Sequence, residues 1–317
     1  MQLTKRLGLG IILYRLYYVP RQFYQRWAKE GIGAIAHTTW NQRQMERAAC
    51  HLPPLPPPST DGEEPLEVHF LSGKKFWYQT VFCFYSLMQQ VQPEANLNLR
   101  LVVYDDGTLS PKDQQQILHV CPGARLVLAE EIQTRLDAAL PESRYPWLRS
   151  RRLEYPNLRK LTDIHIFSPP SPGISEETSS VYKTESGQEK SKLHATGWKL
   201  ILDSDMLFFR PPTTLLEWIQ NPQNPCHMVD VETAYGYSPK LMASLSGVDV
   251  PERINVGITG LNSDRLDWDE LEYWCRTQIE REGSHYYQEQ AMVSMLMARQ
   301  PCTVMPAQDY IVMPNQQ

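Results

Sequence analysis

The chain has 317 residues, enough for one large α/β domain or two small ones. Its hydrophobic fraction of 42% can fill a sizeable core, and its formal net charge of −5 implies no general affinity for nucleic acid. The six cysteines are scattered without a C-x-x-C pair. Zinc sites and disulfide frameworks are therefore not expected, and a reducing compartment such as the cytoplasm fits best.

The first 52 residues form a basic and aromatic arm. Residues 1–48 carry eight Lys and Arg side chains against two acidic ones. Residues 7–19 are too short to span a bilayer, and no small-residue cleavage site follows them. The arm predicts either a helix lying at the inner face of a membrane or a helix that packs its aromatic side chains on the main domain. Residues 53–65 are rich in proline and are expected to be a linker.

From Leu66 to the end of the chain, short apolar strands alternate with amphipathic helices, which predicts an α/β domain with a mainly parallel sheet and helices on both faces. Residues 168–197 are rich in Ser, Pro, Glu, Lys and Gly and are expected to be a disordered insertion or a mobile lid. The predicted strands are residues 67–71, 99–104, 124–128, 199–202, 226–231, 254–262 and 302–305. The predicted helices are residues 75–90, 111–120, 157–167, 215–219, 266–282 and 285–297.

The sequence Asp203-Ser204-Asp205 directly follows the apolar residues 199–202. An isolated buried charge is very costly, so we expect the strand to end at Asp203. Both carboxylates would then lie at its carboxyl end, where open α/β sheets bind their ligands. Oxygen ligands on a short tether suit a hard cation such as Mg²⁺ or Mn²⁺ that also contacts substrate phosphates. A plain surface turn is the simpler interpretation, but it does not explain the bulky residues 206–209 that follow.

Four elements of the chain are a helix with a basic residue at 158–164, the strand and D-x-D motif at 200–205, the strand Asn255-Val256-Gly257-Ile258, and the pair Glu289-Gln290. Together they resemble the GT-A nucleotide-sugar glycosyltransferases, in particular the glycogenin and bacterial galactosyltransferase-like branch. The likeness covers the chain from about Leu66 to the C-terminus. It implies the GT-A fold, with a mainly parallel mixed sheet flanked by helices, and a metal-dependent glycosyltransferase activity.

The resemblance also implies roles for individual residues. Asp203 and Asp205 would hold Mn²⁺ or Mg²⁺ against the diphosphate of a nucleotide-sugar donor, with a UDP-sugar favoured. Glu289 and Gln290 would serve catalysis, the carboxylate acting as general base of an inverting reaction or as stabiliser of an oxocarbenium-like centre in a retaining one. The acceptor would be a glycan or a lipid-linked molecule. The implied donor-binding residues are Ser72, Gly73, Tyr78, Asp105, Asp106, Lys160, Asp163, Ser204, Asn255 and Gly257.

Two of these residues have a plainer interpretation. Without the family, Lys160 would be a solvated lysine on a helix, where it shares a face with Asp163. Glu289 would be an exposed acid at the start of a helix.

The chain also departs from the family pattern. That branch supplies a late histidine as a third metal ligand, and His285 lies too early in the sequence to match it. A degenerate or truncated GT-A protein, acting as a non-catalytic binding or scaffold protein, is therefore the alternative. A haloacid-dehalogenase-type phosphotransferase is discounted because Leu207 stands where its pattern needs Thr or Val. A sugar-nucleotide pyrophosphorylase is discounted because residues 71–75 do not supply its glycine-rich loop.

Overall fold

The computed structural model describes residues 31–59, 64–91, 97–167 and 197–313. The chain divides into two compact units, Met1–Leu52 and Pro53–Gln317. The described part of the first unit contains helix α1 (Ile32–Cys50). Residues 1–30 and 168–196 lie outside the described residues, so the expected membrane helix and the expected insertion or lid remain predictions. In the part of the chain that is described, no helix combines the length and the apolar character needed to cross a bilayer.

The second unit is built on a seven-stranded sheet of order β3-β2-β1-β4-β6-β5-β7. Strand β6 runs antiparallel to β4 and β5, whereas the other four pairings are parallel. The predicted class, a mainly parallel mixed sheet flanked by helices, is confirmed. In chain order the strands are β1 (Leu66–Ser72), β2 (Leu99–Asp105), β3 (Arg125–Val127), β4 (Trp198–Leu202), β5 (Cys226–Val229), β6 (Ile254–Asn262) and β7 (Thr303–Val304).

The second unit also contains nine described helices, which lie between the strands in chain order. Those at 129–139, 146–154 and 239–246 were not among the predicted helices. The helices are α2 (Trp77–Gln90), α3 (Pro111–Val120), α4 (Ala129–Ala139), α5 (Pro146–Glu154), α6 (Leu158–His165), α7 (Thr213–Gln220), α8 (Pro239–Ser246), α9 (Trp268–Glu282) and α10 (Gln288–Ala298).

Local sequence explains where several helices begin. Ser110 and Asp113 form a capping box at the start of α3, where Pro111 occupies a position that needs no backbone donor. Ser238 caps α8 in a similar way, and Asp267 accepts hydrogen bonds from two backbone amides of α9. Each cap satisfies amide groups that a helix start leaves without partners.

The described part of the proline-rich segment belongs to the second unit and packs against its helices and turns. Residues 53–59 contain neither helix nor strand. Leu55 is buried, and its backbone amide donates to the carbonyl of Val120 at 2.8 Å. Pro58 lies against Gly123, whose φ of 81° favours glycine. The apolar side chain of Leu55 thus contributes to the edge of the core.

The sheet sets the position of the polar residues discussed below. Strands β1 and β2 are in register, so that Ser72 lies opposite Asp105 at their carboxyl ends. Strand β4 pairs in parallel with β1 and is buried from Leu200 to Leu202. Because parallel strands end at the same edge of a sheet, the residues that follow β1, β2 and β4 share that edge.

Candidate active site

The Asp-Ser-Asp sequence lies at the carboxyl edge of the sheet. Strand β4 ends at Leu202, and the backbone amide of Asp203 donates to the carbonyl of Gly257 at 2.8 Å. This hydrogen bond fixes Asp203 at the end of the β4–β6 ladder. Its side chain is part-exposed and Asp205 is accessible. Both carboxylates therefore reach solvent at this edge, as the apolar run before them predicts.

Three charged side chains from separate elements meet at this point. The Nζ of Lys160, on α6, lies 3.0 Å from Oδ1 of Asp203 and 3.6 Å from Oε2 of Glu289, on α10. Lys160 is 8% exposed and Glu289 is 6% exposed. The solvated-lysine and exposed-acid interpretations are therefore wrong, because both side chains are buried next to the D-x-D sequence.

The electrostatics of this cluster follow from burial and close charges. Burial opposes the positive charge of Lys160, but the carboxylates of Asp203 and Glu289 outweigh it and raise the pKa of the lysine above its ordinary value. Burial, together with the charge of Asp203, raises the pKa of Glu289 to about 7 against the opposing effect of Lys160. Partial burial and the charge of Asp203 also raise the pKa of Asp205. A proton or a cation beside these acids would thus be stabilised.

The donor set fits a hard divalent cation with open positions. Asp203 and Asp205 offer two carboxylates at an accessible edge, and their mutual repulsion is what a cation would relieve. Within the described ranges, no group of three or more His, Cys, Asp and Glu side chains is placed to hold a metal ion. His285 instead stacks on Tyr287, with ring centroids 5.5 Å apart. The remaining ligands of a cation here would be water and phosphate oxygens.

Ser204 belongs to a hydroxyl cluster that joins three elements. Its Oγ lies 2.9 Å from Oγ1 of Thr80, which also donates to Oγ of Ser72 at 2.7 Å. Thr80 and Ser72 are both buried. The cluster ties the loop after β4 to the end of β1 and to α2, and thereby holds the D-x-D backbone. Thr80 was not predicted, because a threonine in an apolar helix gives no separate signal.

The two aspartates after β2 shape a turn. Oδ1 of Asp105 accepts from the backbone amides of Gly107, Thr108 and Leu109 at 2.8–3.0 Å. Oδ1 of Asp106 accepts from the amide of Thr108 at 2.9 Å. Both carboxylates thus stabilise the turn, and their predicted donor contact would have to use their remaining acceptor positions.

Gly73 lies against this turn. Its Cα faces the carboxylate of Asp106 so closely that any Cβ would collide with it. The amide of Asp106 donates to the carbonyl of Ser72 at 2.8 Å, which joins the ends of β1 and β2. Tyr78, in the first turn of α2, is buried. Gly73 and Asp106 are therefore brought together, while Tyr78 is largely covered by protein.

A second polar group links β6 to α10. Oδ2 of Asp230, just beyond β5, accepts from Nδ2 of Asn255 at 3.0 Å and from Nε2 of Gln290 at 3.2 Å. Nε2 of Gln290 also donates to the carbonyl of Ile254 at 2.9 Å, and Oδ1 of Asn255 accepts from the amide of Gly257 at 2.8 Å. The sequence analysis does not identify Asp230 as a site residue, because the predicted strand at 226–231 includes it. Its position after an apolar run is the same signal that identified Asp203.

Asp163 lies in a different environment from its neighbour Lys160. It is fully buried, and its two oxygens accept from Nε and Nη2 of Arg152 at 2.5 and 2.7 Å. A donor could reach this carboxylate only if the ion pair opened. The structure therefore does not support the predicted donor contact, and Asp163 connects α6 to α5 instead.

No protein-family model matches the sequence, and no curated protein sequence matches it significantly. Mouse xyloside xylosyltransferase 1 in its apo form superposes with a TM-score of 0.47 and 11% identity over 77% of this chain and 86% of its own. The galactosyltransferase LgtC, in complex with donor and acceptor sugar analogues, superposes with a TM-score of 0.43 and 12% identity. The match covers 76% of this chain and 73% of LgtC. Core-mannan synthase A from Aspergillus fumigatus, in its Mn/GDP form, superposes with a TM-score of 0.34 and 9% identity. The match covers 76% of this chain and 77% of that protein. All three superpositions have TM-scores below 0.5 and identities of at most 12%, so they carry neither a family nor an activity over to this chain.

Proposed function

We propose that this chain is a metal-dependent glycosyltransferase that moves a sugar from a nucleotide-diphosphate donor, a UDP-sugar by preference, to a glycan or lipid-linked acceptor. The observation that carries the proposal is the meeting of Lys160, Glu289 and the Asp203/Asp205 pair at the carboxyl edge of the sheet. A purely structural ion-pair network would not need an accessible carboxylate beside two buried charges.

Asp203 and Asp205 are the residues that would hold Mn²⁺ or Mg²⁺, which when bound supplies Lewis-acid stabilisation of a departing diphosphate. Lys160 keeps its proton because its pKa is raised. Its ammonium lies 3.0 Å from Asp203 and is positioned to add positive charge beside the same diphosphate. Ser204 holds the loop between the two aspartates in place through Thr80.

Glu289 has the chemistry of a residue next to the reacting centre. Its pKa of about 7 allows it to accept a proton from an acceptor hydroxyl near neutral pH, as an inverting reaction requires. As a carboxylate it would equally stabilise an oxocarbenium-like centre in a retaining reaction. Gln290 is held by Asp230 and the carbonyl of Ile254, which leaves its side-chain oxygen available. Both stereochemical outcomes are compatible with this arrangement.

We assign the base and ribose of the donor to the ends of β1 and β2, at Ser72, Gly73 and Asp106. The basic aromatic arm, residues 1–52, would place the enzyme at the cytoplasmic face of a membrane. Both assignments are part of the proposal.

Turnover of nucleotide sugars tests the activity. A panel of UDP- and GDP-sugars is incubated with the full chain and Mn²⁺, and release of the nucleoside diphosphate is measured. Asp205→Asn is expected to lower the rate at least about a hundredfold, since the cation that would stabilise the leaving diphosphate loses one of its two carboxylate ligands. Asp269→Asn is the matched control, because Asp269 is a surface aspartate on α9 paired with Arg144.

Equal rates for the wild type and Asp205→Asn would contradict the proposal. Nucleotide binding without release from any donor would instead favour the non-catalytic binding protein.

A further inference from the structure

A group of aromatic rings, which we call the aromatic platform, lies beside the proposed active site. Tyr286 contacts Tyr287 edge-on with ring centroids 5.4 Å apart, and it contacts Tyr155 at 6.2 Å. His285 stacks on Tyr287 at 5.5 Å and meets Tyr237 edge-on at 6.1 Å. The platform therefore consists of Tyr155, Tyr237, His285, Tyr286 and Tyr287.

The platform is adjacent to both helices that carry the site. Tyr286 and Tyr287 directly precede α10, whose second residue is Glu289. Tyr155 lies just before α6, which carries Lys160. The rings thus stand at the starts of the two helices whose charged side chains meet at Asp203.

Polar contacts of a buried arginine anchor the backbone around the platform. The guanidinium of Arg151 lies 4.0 Å from the ring centroid of Tyr155. Its Nη2 donates to the carbonyl of His285 at 3.1 Å and its Nε to Oε1 of Gln288 at 2.7 Å, although Arg151 is almost fully buried. On the other side, Gly236 faces the imidazole of His285 so closely that a Cβ would collide with it. The loop before α10 is therefore held in place by contacts on its backbone and on His285.

Two rings of the aromatic platform are exposed to solvent. Tyr286 is 52% exposed and Tyr287 is 39% exposed, while Tyr237 is buried. Fixed aromatic rings lose little conformational entropy when a ligand binds. A tyrosine also combines an apolar face with a polar hydroxyl. This combination matches a pyranose ring, which presents a face of C–H groups and an equatorial rim of hydroxyls.

We propose that Tyr286 and Tyr287 dock a pyranose ring of the acceptor, so that an acceptor hydroxyl is presented to Glu289. This inference rests on the proposed function and deepens it, because it identifies the acceptor as a saccharide. The donor nucleotide, by contrast, is assigned to the ends of β1 and β2.

The test measures saccharide binding without turnover. Saturation-transfer NMR is recorded on the full chain with Mn²⁺ and UDP or GDP, using the methyl α- and β-pyranosides of glucose, galactose, mannose and xylose together with lactose as probes. At least one probe is expected to bind through its C–H face. The Tyr286→Ala/Tyr287→Ala variant should bind it about tenfold more weakly or not at all, whereas Tyr286→Phe/Tyr287→Phe should largely retain binding.

The matched control is Tyr273→Ala, since Tyr273 is 48% exposed on α9 and its ring lies below Arg276. Nucleotide binding in each variant shows that the donor site is intact, and thermal unfolding shows that the variant folds. Saccharide binding that is absent from every probe, or unchanged in the double alanine variant, would overturn the inference. Saccharide binding that depends on the two tyrosines in a chain that binds no nucleotide would support the platform and count against the glycosyltransferase.

Discussion

Helix α6 carries two charged residues, three positions apart, that have opposite fates in the fold. Lys160 meets Asp203 and Glu289 at the carboxyl edge of the sheet, where Asp203 is part-exposed. Asp163 is fully buried, and both of its oxygens are used by Arg152. We call Lys160, Glu289, Asp203 and Asp205 the open cluster, because its aspartates reach solvent. We call Asp163 and Arg152 the closed pair, because Asp163 is fully buried.

This difference distinguishes residues that can bind a ligand from residues that only stabilise the fold. In the closed pair both oxygens of Asp163 accept from Arg152, and Oδ1 also accepts from the hydroxyl of Thr162, so a ligand finds little to bind. In the open cluster the positive charge of Lys160 is shared by two acids, and Asp205 adds a third that is accessible. The open cluster therefore has electrostatic capacity left for a cation or a phosphate, whereas the closed pair fixes α6 on α5.

The largest effect on stability is expected from breaking the closed pair. Asp163→Asn leaves the guanidinium of Arg152 with little compensation in the interior. We expect it to lower the free energy of unfolding by about 3–5 kcal/mol, because an unpaired buried charge is very costly. Chemical denaturation of the purified protein measures the loss.

Asp203→Asn is the matched variant at the open cluster. Its side chain is 37% exposed, and Lys160 keeps Glu289 as a partner, so we expect a much smaller loss of stability. A loss for Asp203→Asn as large as that for Asp163→Asn would erase the distinction between the two clusters.

A smaller effect, which depends on pH, is expected at Glu289. Its pKa is raised from 4.5 to about 7, chiefly by burial, so the folded chain holds this proton more tightly than the unfolded chain does. The resulting contribution to stability is complete below the ordinary pKa and is lost as the pH rises through about 7. Glu289→Gln should therefore gain stability relative to the wild type as the pH rises from about 5 to about 8. Denaturation of both proteins over this pH range measures the difference, and a difference that does not vary with pH would argue against a buried, protonated Glu289.

The parts of the fold that follow hydrophobic patterning could be predicted from the sequence. Strand β6 was predicted with its exact bounds, and the end of β4 at Leu202 follows from the cost of burying Asp203. Helices α4 and α5 were not predicted, because their short segments bury few apolar side chains, such as Ile132 and Leu148. Their helical state depends on packing that local sequence does not encode.

The site shows the same limit. The D-x-D position is a local signal, but the ion pair of Glu289 with Lys160 joins two helices that lie far apart in the sequence. The pairing of Asp163 with Arg152 also depends on how α5 meets α6, so a shared helix face with Lys160 did not reveal it. Roles that rest on one residue and its neighbours could be read from the sequence, whereas contacts between helices needed the structure.

Metal-dependent nucleotide binding tests the central claim most directly. Calorimetric titration with UDP and with GDP, each with and without Mn²⁺, is carried out on the wild type and on Asp203→Asn/Asp205→Asn. The open cluster predicts binding that needs Mn²⁺ in the wild type and is lost in the double variant, which should still unfold cooperatively. Binding that is independent of the metal, or equal in the two proteins, would show that these carboxylates do not form the donor site.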